Sequence, residues 1–242
     1  MGERRMAAHK APRYAIYYAP ELGSALDTFG QTWLGQRGRD ALASAIGKSS
    51  EVSIDRIGEL TDSPRRYGFH GTLKPPFELN PANRPEGLLE AARVFARSRG
   101  PIQLPPLELA VIGKFIALTP IAESAALEKL AAACVRAFEG FRTPLSKQQE
   151  EDYKLNKLTV HQEQMLEHWG YPYVMEEFRF HISLTDRIDD DRERNTVMEL
   201  LTSLTRPFLG EPVSVRDLVV FAQDAIGQPM KPVERIPFGR TA

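Results

Sequence analysis

The sequence predicts a mixed α+β fold, and three observations support this class. Short runs rich in aromatic and β-branched residues alternate with stretches whose apolar residues recur at three- and four-residue steps. The strands and helices that these patterns indicate follow a similar order in the two halves of the chain. The 242 residues are 42% hydrophobic and 26% charged, which is typical of a globular protein rather than a disordered one.

Each predicted strand is a short apolar or aromatic run that ends near a turn-forming residue. The strands are predicted at 13–18, 69–73, 107–119, 177–185, 213–222 and 231–236, the third of them as a hairpin. Amphipathic spacing predicts helices at 22–46, 86–98, 121–139, 157–169 and 190–205. The hairpin is expected to turn near Gly113 and Lys114, and the polar segment 140–156 is expected to connect the two halves.

Composition excludes several classes of protein. The 31 Lys and Arg residues nearly balance the 32 Asp and Glu residues, and a net charge of −1 argues against a surface that coats duplex DNA. The glycine-rich loops of P-loop and dinucleotide-binding enzymes do not occur. Residues 1–10 are basic but lack the apolar segment of a secretory signal, and no window reaches the ~20 apolar residues that span a bilayer. We therefore expect a cytoplasmic protein.

Neither a metal nor another cofactor is predicted from the Cys and His residues outside the motifs. Cys134 is the single cysteine, which excludes an internal disulfide, and its helical spacing predicts a buried, inert thiol. His161 and His168 are seven residues apart on a predicted helix, a rise of about 10 Å, which is too far for one ion.

Two similar pentapeptides are the features that indicate chemistry. Residues 69–73 read Phe-His-Gly-Thr-Leu and residues 180–184 read Phe-His-Ile-Ser-Leu, one in each half of the chain. A histidine followed two residues later by a hydroxyl is common by chance, but sharing the flanking Phe and Leu makes coincidence much rarer. In a strand, His70 and Thr72 would face one side, and so would His181 and Ser183, while the apolar residues face the core.

Paired imidazoles and hydroxyls suit attack on a phosphodiester. One imidazole can accept a proton from water while the other donates a proton to the departing oxygen. A hydroxyl two residues along the same strand face lies roughly 7 Å away, a span that a phosphate can bridge. His70 and His181 are therefore the candidate catalytic residues, and Thr72 and Ser183 the candidate phosphate-binding residues. This chemistry requires no metal.

These motifs resemble those of the two-histidine (2H) phosphoesterase superfamily, which includes 2'-5' RNA ligase-like and cyclic phosphodiesterase proteins. The stretches RYAIYYAP, RYGFHGTLKPPF and FRFHISLTDR resemble the branch found with bacterial phosphonate-utilisation operons. The resemblance implies two pseudo-symmetric lobes of antiparallel sheet with outer helices around a central cleft. It also implies that residues 1–242 form one bilobal domain with a lobe boundary at about 120–156. The second motif has Ser183 where the family more often has Thr.

Four further residues are candidates for substrate binding, each with a structural alternative. Lys74 and Arg179 continue the two His faces and could add positive charge, or could be solvated strand-end residues. Tyr17 could stack on a base or ribose, or belong to an aromatic core strand. Tyr67 could lie at the rim of the cleft.

The predicted function is that of a metal-independent phosphodiesterase that hydrolyses a cyclic or small phosphodiester. The resemblance implies a 2',3'-cyclic nucleotide or a ribose cyclic phosphate, in phosphonate utilisation, as substrate. Two alternatives remain open at this point: a 2'-5' RNA ligase-like activity on RNA ends, and a nucleotide- or RNA-binding module without turnover. Which histidine is the base, and the oligomeric state, also stay open.

Overall fold

A seven-stranded antiparallel sheet organises the molecule. The computed structural model describes residues 12–47, 50–225 and 227–239, so residues 1–10 with their targeting prediction lie outside it. The sheet has the strand order β4-β5-β6-β2-β1-β8-β9, and β3 and β7 form a separate pair. The strands are β1 Arg13–Tyr18, β2 Gly71–Glu78, β3 Ile102–Leu104, β4 Leu107–Ile112, β5 Phe115–Pro120, β6 Ile182–Ser183, β7 Val213–Val215, β8 Asp217–Gln223 and β9 Lys231–Pro237.

Helices lie between the strands and confirm the α+β class. They are α1 Ala25–Trp33, α2 Arg39–Ile46, α3 Ile54–Leu60, α4 Asp62–Tyr67, α5 Pro85–Arg97, α6 Ala125–Ala137, α7 Lys147–Lys154, α8 Val160–Trp169 and α9 Asp191–Thr205. Hydroxyl caps set several starts; both α7 and α8 begin with a capping box, formed by Ser146 with Gln149 and by Thr159 with Gln162. None of the helices in the described ranges is long and apolar enough to cross a membrane.

The helix predicted over 22–46 is two helices in the structure. Residues 34–38 separate α1 from α2, and Gly35 and Gly38 there adopt positive φ angles of 71° and 90°. Such angles are accessible to glycine and end a helix. The periodicity continued across the break, which explains why a single helix was predicted.

Two predicted strands have different bounds in the structure. The first-motif strand, predicted at 69–73, begins at Gly71 and continues to Glu78. Pro75 and Pro76 lie inside it, at a shift of its register against β1 where prolines are tolerated. The strand predicted at 177–185 shrinks to β6. Beyond it the ladder is irregular, because the N–H groups of Leu184 and Thr185 both donate to the Ile116 carbonyl, and side chains also take part. The Thr185 hydroxyl accepts from the Ile116 N–H at 2.9 Å, and the Trp33 indole donates to the Leu184 carbonyl at 2.7 Å.

The sheet buries one face against helices and leaves a cleft on the other. Tyr14, Ile16 and Tyr18 of β1 belong to the large core, which includes side chains of α1, α5, α6 and α9. Ala15 and Tyr17, which alternate with them, belong to a second, small cluster with Val219, Phe221 and Met230. Strands β1, β2, β8 and β9 form one end of the sheet and β4, β5 and β6 the other. The division into two lobes at about 120–156 stays a prediction.

Candidate active site

Both motifs line a single cleft of about 930 Å³. Strands β2 and β6 are direct neighbours, and Gly71 pairs with Ile182. Because side chains alternate along the strands, His70 and Thr72 face the cleft together with His181 and Ser183. The antiparallel sheet and the shared cleft are what the resemblance to two-histidine phosphoesterases implied.

Apolar packing on the other side of the sheet fixes the two motifs against each other. A Cβ built on Gly71 would lie 2.3 Å from Phe180 Cε2, so the Phe180 ring fills the space that a side chain at residue 71 would occupy. Phe69 packs in the same way over Gly30 of α1, where an added Cβ would come within 2.1 Å of the ring. The absence of a side chain at Gly71 in the first motif therefore leaves room for Phe180 of the second motif.

His70 is held as a neutral imidazole with a defined tautomer. Its Nδ1 lies 2.9 Å from the carbonyl of Gly68, which can only accept, so Nδ1 carries the proton. The unprotonated Nε2 lies 3.3 Å from the hydroxyl of Thr72. Burial lowers the pKa of His70 to about 4, the hydrogen bond to Gly68 opposes this, and the neighbouring His181 lowers it further. The ring stacks on Tyr17 with centroids 3.7 Å apart and planes at 23°.

His181 repeats the backbone contact in a different environment. Its Nδ1 lies 2.8 Å from the carbonyl of Arg179, two residues before it, so the two imidazoles are oriented by equivalent bonds. Its aromatic neighbour is Phe115 of β5, with ring centroids 5.7 Å apart and planes at 52°, which is a looser contact than the Tyr17 stack. In both motifs Nε2 is left for a ligand.

Three of the four candidate substrate-binding residues line the cleft: Tyr17, Tyr67 and Arg179. Tyr67 lies beside the first motif, its ring centroid 6.5 Å from that of His70. Arg179 is exposed, and its guanidinium donates to the carbonyls of Glu176 and Phe178 at 3.0 and 2.7 Å. Their contact with a substrate stays a prediction.

The predicted position of Lys74 is wrong. The Lys74 side chain is 2% exposed, and its ammonium donates to the carbonyl of Val135 and to Glu139, at 3.1 and 3.0 Å, on the helix side of the sheet. The register between β1 and β2 shifts here: Tyr17 pairs with Thr72, but Ile16 pairs with Lys74. The extra residue reverses the alternation that the prediction assumed.

Several cleft residues were not identified from the sequence: Arg13, Lys114, Phe115, Tyr153, Tyr171, Tyr173 and Asp186. Arg13 could have been found, because it lies four residues from Tyr17 and therefore on the same face of β1. The tyrosines reach the cleft only through the way residues 147–177 fold back over it, which no local pattern indicates.

Outside the cleft, the Cys134 prediction is confirmed as to burial. Cys134 is fully buried on α6, and burial raises the pKa of its thiol to about 12. Within the described part of the chain, no three His, Cys, Asp or Glu side chains are grouped to hold a metal ion.

Comparison with known proteins gives one family and two longer relatives. A family model described as a protein of unknown function, DUF1045, matches residues 72–231. A protein named ribose 1,5-bisphosphate phosphokinase PhnN from Janthinobacterium sp. (strain Marseille) is 30% identical over 240 residues, which are 97% of this chain and 52% of that protein. A protein of the same name from Laribacter hongkongensis (strain HLHK9) is 32% identical over 188 residues, covering 74% of this chain and 41% of that protein. The chain thus spans about half the length of the curated relatives it matches.

Among solved structures, E. coli LigT complexed with 3'-AMP aligns over 95% of this chain and 99% of its own, with 11% identity and a TM-score of 0.43. At that score the likeness supports no conclusion about activity. The family match is of a different kind, because it covers well over half of the chain and includes most of β2, all of β6 and the hydroxyl residues of both motifs. The chain therefore belongs to the DUF1045 family.

Proposed function

We propose that this protein hydrolyses a cyclic phosphodiester of a ribose-containing small molecule by general acid–base catalysis. The observation that carries the proposal is the matched orientation of two imidazoles in one cleft. Each Nδ1 is bonded to the carbonyl two residues before it, at 2.9 Å for His70 and 2.8 Å for His181. Each Nε2 is thereby left for a reacting group, and the hydroxyls of Thr72 and Ser183 line the same cleft.

The environments of the two histidines support different roles. His70 is neutral at pH 7, since its pKa is about 4, and a neutral Nε2 can take a proton. In the proposed step, water attacks phosphorus and gives a proton to His70 as the new P–O bond forms. In its imidazolium form, with a proton on each ring nitrogen, His181 donates the Nε2 proton to the ester oxygen as the old P–O bond breaks and is left neutral. The product is a phosphomonoester beside a free hydroxyl, and each proton transfer contributes roughly 10²–10⁴-fold.

The hydroxyls of the two motifs complete the proposed site. Thr72 Oγ1 lies 3.3 Å from His70 Nε2, so the same hydroxyl can turn to a non-bridging phosphate oxygen when a ligand enters. Ser183 holds the equivalent position on β6, where it pairs with Ala117 of β5. Donors placed on strands keep their positions as charge develops on phosphate, which is how such groups lower a barrier.

The names of the longer relatives support a ribose phosphate as the substrate class. Those proteins are named for a phosphokinase that acts on ribose 1,5-bisphosphate. Opening a cyclic phosphate on ribose gives a ribose phosphomonoester, which belongs to the same chemical class. A cleft of about 930 Å³ is of the size that binds small molecules.

The test is hydrolysis of 2',3'-cyclic nucleotides and ribose cyclic phosphates by the purified protein, in the presence of a chelator. His70→Asn keeps a donor toward the Gly68 carbonyl but removes Nε2, and is expected to lower kcat at least 100-fold, as is His181→Asn. His161→Asn is the control, because His161 lies on α8 and contacts Glu176 at 3.7 Å. Unchanged turnover in either motif variant would overturn the mechanism. Joining of RNA ends carrying 2',3'-cyclic phosphates would instead favour a ligase.

A further inference from the structure

The cleft continues beyond the histidines along strand β1. Arg13 and Tyr17 are four residues apart on the same strand face, roughly 13 Å along the strand, and both line the cleft. The Arg13 side chain is half-buried, and it donates from Nε and a terminal nitrogen to Oε1 of Gln223, at 2.9 and 2.5 Å. Gln223 is 2% exposed and is itself tied to the Gln228 carbonyl, so Arg13 is fixed at its inner side.

Arg13 forms no ion pair within the described ranges, although Glu78 lies opposite it in the register of β1 and β2. Two cleft cations near the other motif differ in this respect. Lys114 and Arg187 both form ion pairs with Asp189, at 2.7 and 2.9 Å. The partner of Arg13 is a neutral amide, which occupies only part of its five N–H donors. An arginine fixed by a neutral group in a cleft retains its charge and donors for an anion.

Phenol groups line the same cleft, and two of them lie beside His70. Tyr153 and Tyr171 meet edge-to-face with ring centroids 5.8 Å apart, and both line the cleft with Tyr67 and Tyr17. Burial raises the pKa of Tyr17 and of Tyr153, and the charge of Arg13 acts in the opposite direction on both. The positive charge of Arg13 therefore acts on the hydroxyls of two cleft residues from different elements, β1 and α7.

We propose that Arg13, with the hydroxyls of Tyr17, Tyr67, Tyr153 and Tyr171, binds a phosphomonoester that the substrate carries in addition to its cyclic phosphate. This inference rests on the proposed function, because it extends the same cleft from the reacting phosphate to a second group. The substrate class then becomes a sugar or nucleoside cyclic phosphate with a remote terminal phosphate.

The chemistry of this end favours a terminal phosphate over other occupants. Guanidinium and phenol groups can all donate hydrogen bonds to a dianion, and a charge-assisted bond is worth more than a neutral one. A base would need an open aromatic face, but Tyr17 is covered by His70 at 3.7 Å. An RNA chain would need a continuing track of cations, and the chain's net charge of −1 argues against one.

The test compares adenosine 2',3'-cyclic phosphate with the same compound carrying a 5'-phosphate. The wild-type kcat/KM is expected to be at least 10-fold higher for the 5'-phosphorylated substrate. Arg13→Gln should abolish that preference. It should lower kcat/KM about 10–100-fold for the phosphorylated substrate alone, which is the size expected for a hydrogen bond to a charged group. Arg13→Lys should restore part of it. Arg187→Gln at the other end of the cleft is the control, and it should affect both substrates alike.

A binding measurement separates failure of this inference from failure of the proposed function. Calorimetric titration with ribose 5-phosphate should give binding to the wild-type protein, at least 10-fold weaker binding to Arg13→Gln, and none with ribose. Tyr153→Phe, which deletes a hydroxyl from the rim, should weaken binding even if Arg13→Gln folds poorly. This holds whether or not any substrate is hydrolysed.

Two results would overturn the second phosphate site. One is equal binding of ribose 5-phosphate by wild type and by both variants. The other concerns a dinucleotide with a 2',3'-cyclic end. If Arg13 raises kcat/KM for that dinucleotide as much as for the 5'-phosphorylated mononucleotide, the site binds an internal diester equally well and is not specific for a terminal phosphate.

Discussion

Replacing Gly71 by alanine should test how the two motifs are joined. The added Cβ would lie 2.3 and 2.4 Å from two ring carbons of Phe180, well inside van der Waals contact. Gly71 does not have a positive φ, so the cost comes from crowding and not from the backbone. Overpacking of a core costs about 1–3 kcal/mol, or about 2–12 °C in Tm for a chain of this length.

The same substitution should also lower turnover, because Phe180 precedes His181. If the ring moves away from residue 71, the second imidazole moves relative to the first, and a displacement of about 1 Å can cost roughly 100-fold. Thermal unfolding and hydrolysis of the best cyclic phosphate measure the two effects. Phe180→Leu in the Gly71→Ala background should recover stability, since it removes the ring that the methyl group meets.

Gly87→Ala is the matched control for that experiment. Gly87 lies within helix α5, and an added Cβ would have only Phe141 at 4.0 Å. Alanine there should stabilise the protein by about 0.5–1 kcal/mol, because glycine is unfavourable inside helices. The packing argument would be refuted if Gly71→Ala unfolds at the wild-type temperature. It would also be refuted if the stability losses of Gly71→Ala and Phe180→Leu simply add in the double variant.

Three further outcomes follow from the structure. The free energy of unfolding should fall as pH decreases from about 6.5 to about 4, because His70 binds a proton in the unfolded chain but not in the folded chain. The expected loss is about 3 kcal/mol. This loss should be missing when the denaturation of His70→Gln is measured over the same pH range. Tyr17→Leu should raise the pKa of His70 in NMR titrations by opening the ring to water, whereas Tyr17→Phe keeps the stack and should not. Lys74→Ala should lower the free energy of unfolding by about 1–3 kcal/mol, because it removes the donor to the buried Val135 carbonyl and to Glu139, which keeps Arg142 as a partner. KM should stay unchanged, and a changed KM would mean that Lys74 reaches the cleft.

The sequence was sufficient where local pattern determined structure. Strand β1 was predicted with the bounds Arg13–Tyr18 that it has. Within each motif the histidine and the hydroxyl residue were predicted to share a strand face, and all four of these side chains line the cleft. Alternation in a strand is a local property, so a histidine and a hydroxyl two residues apart can be assigned to one side without knowledge of the partners.

The failures have a common cause in contacts between distant segments. Lys74 was placed on the wrong face because the β1–β2 register shifts, and a bulge depends on both strands. At the end of the second-motif strand, the Leu184 carbonyl accepts from Trp33, more than a hundred residues earlier, which no local pattern indicates. Tyr153 lies in the segment predicted only as a connection, yet it reaches the cleft.

Neighbouring strands, and not the motifs themselves, distinguish the two histidines. The pentapeptides are nearly alike, and both imidazoles are tied through Nδ1 to the backbone two residues back. His70, however, precedes β2, which pairs with β1, and Tyr17 of β1 stacks on the His70 ring and excludes water from it. His181 precedes a strand beside β5, where Phe115 makes only a tilted contact. Burial on the β1 side lowers the pKa of His70, and the proposed division into a base and an acid depends on such a difference in environment between two otherwise similar motifs.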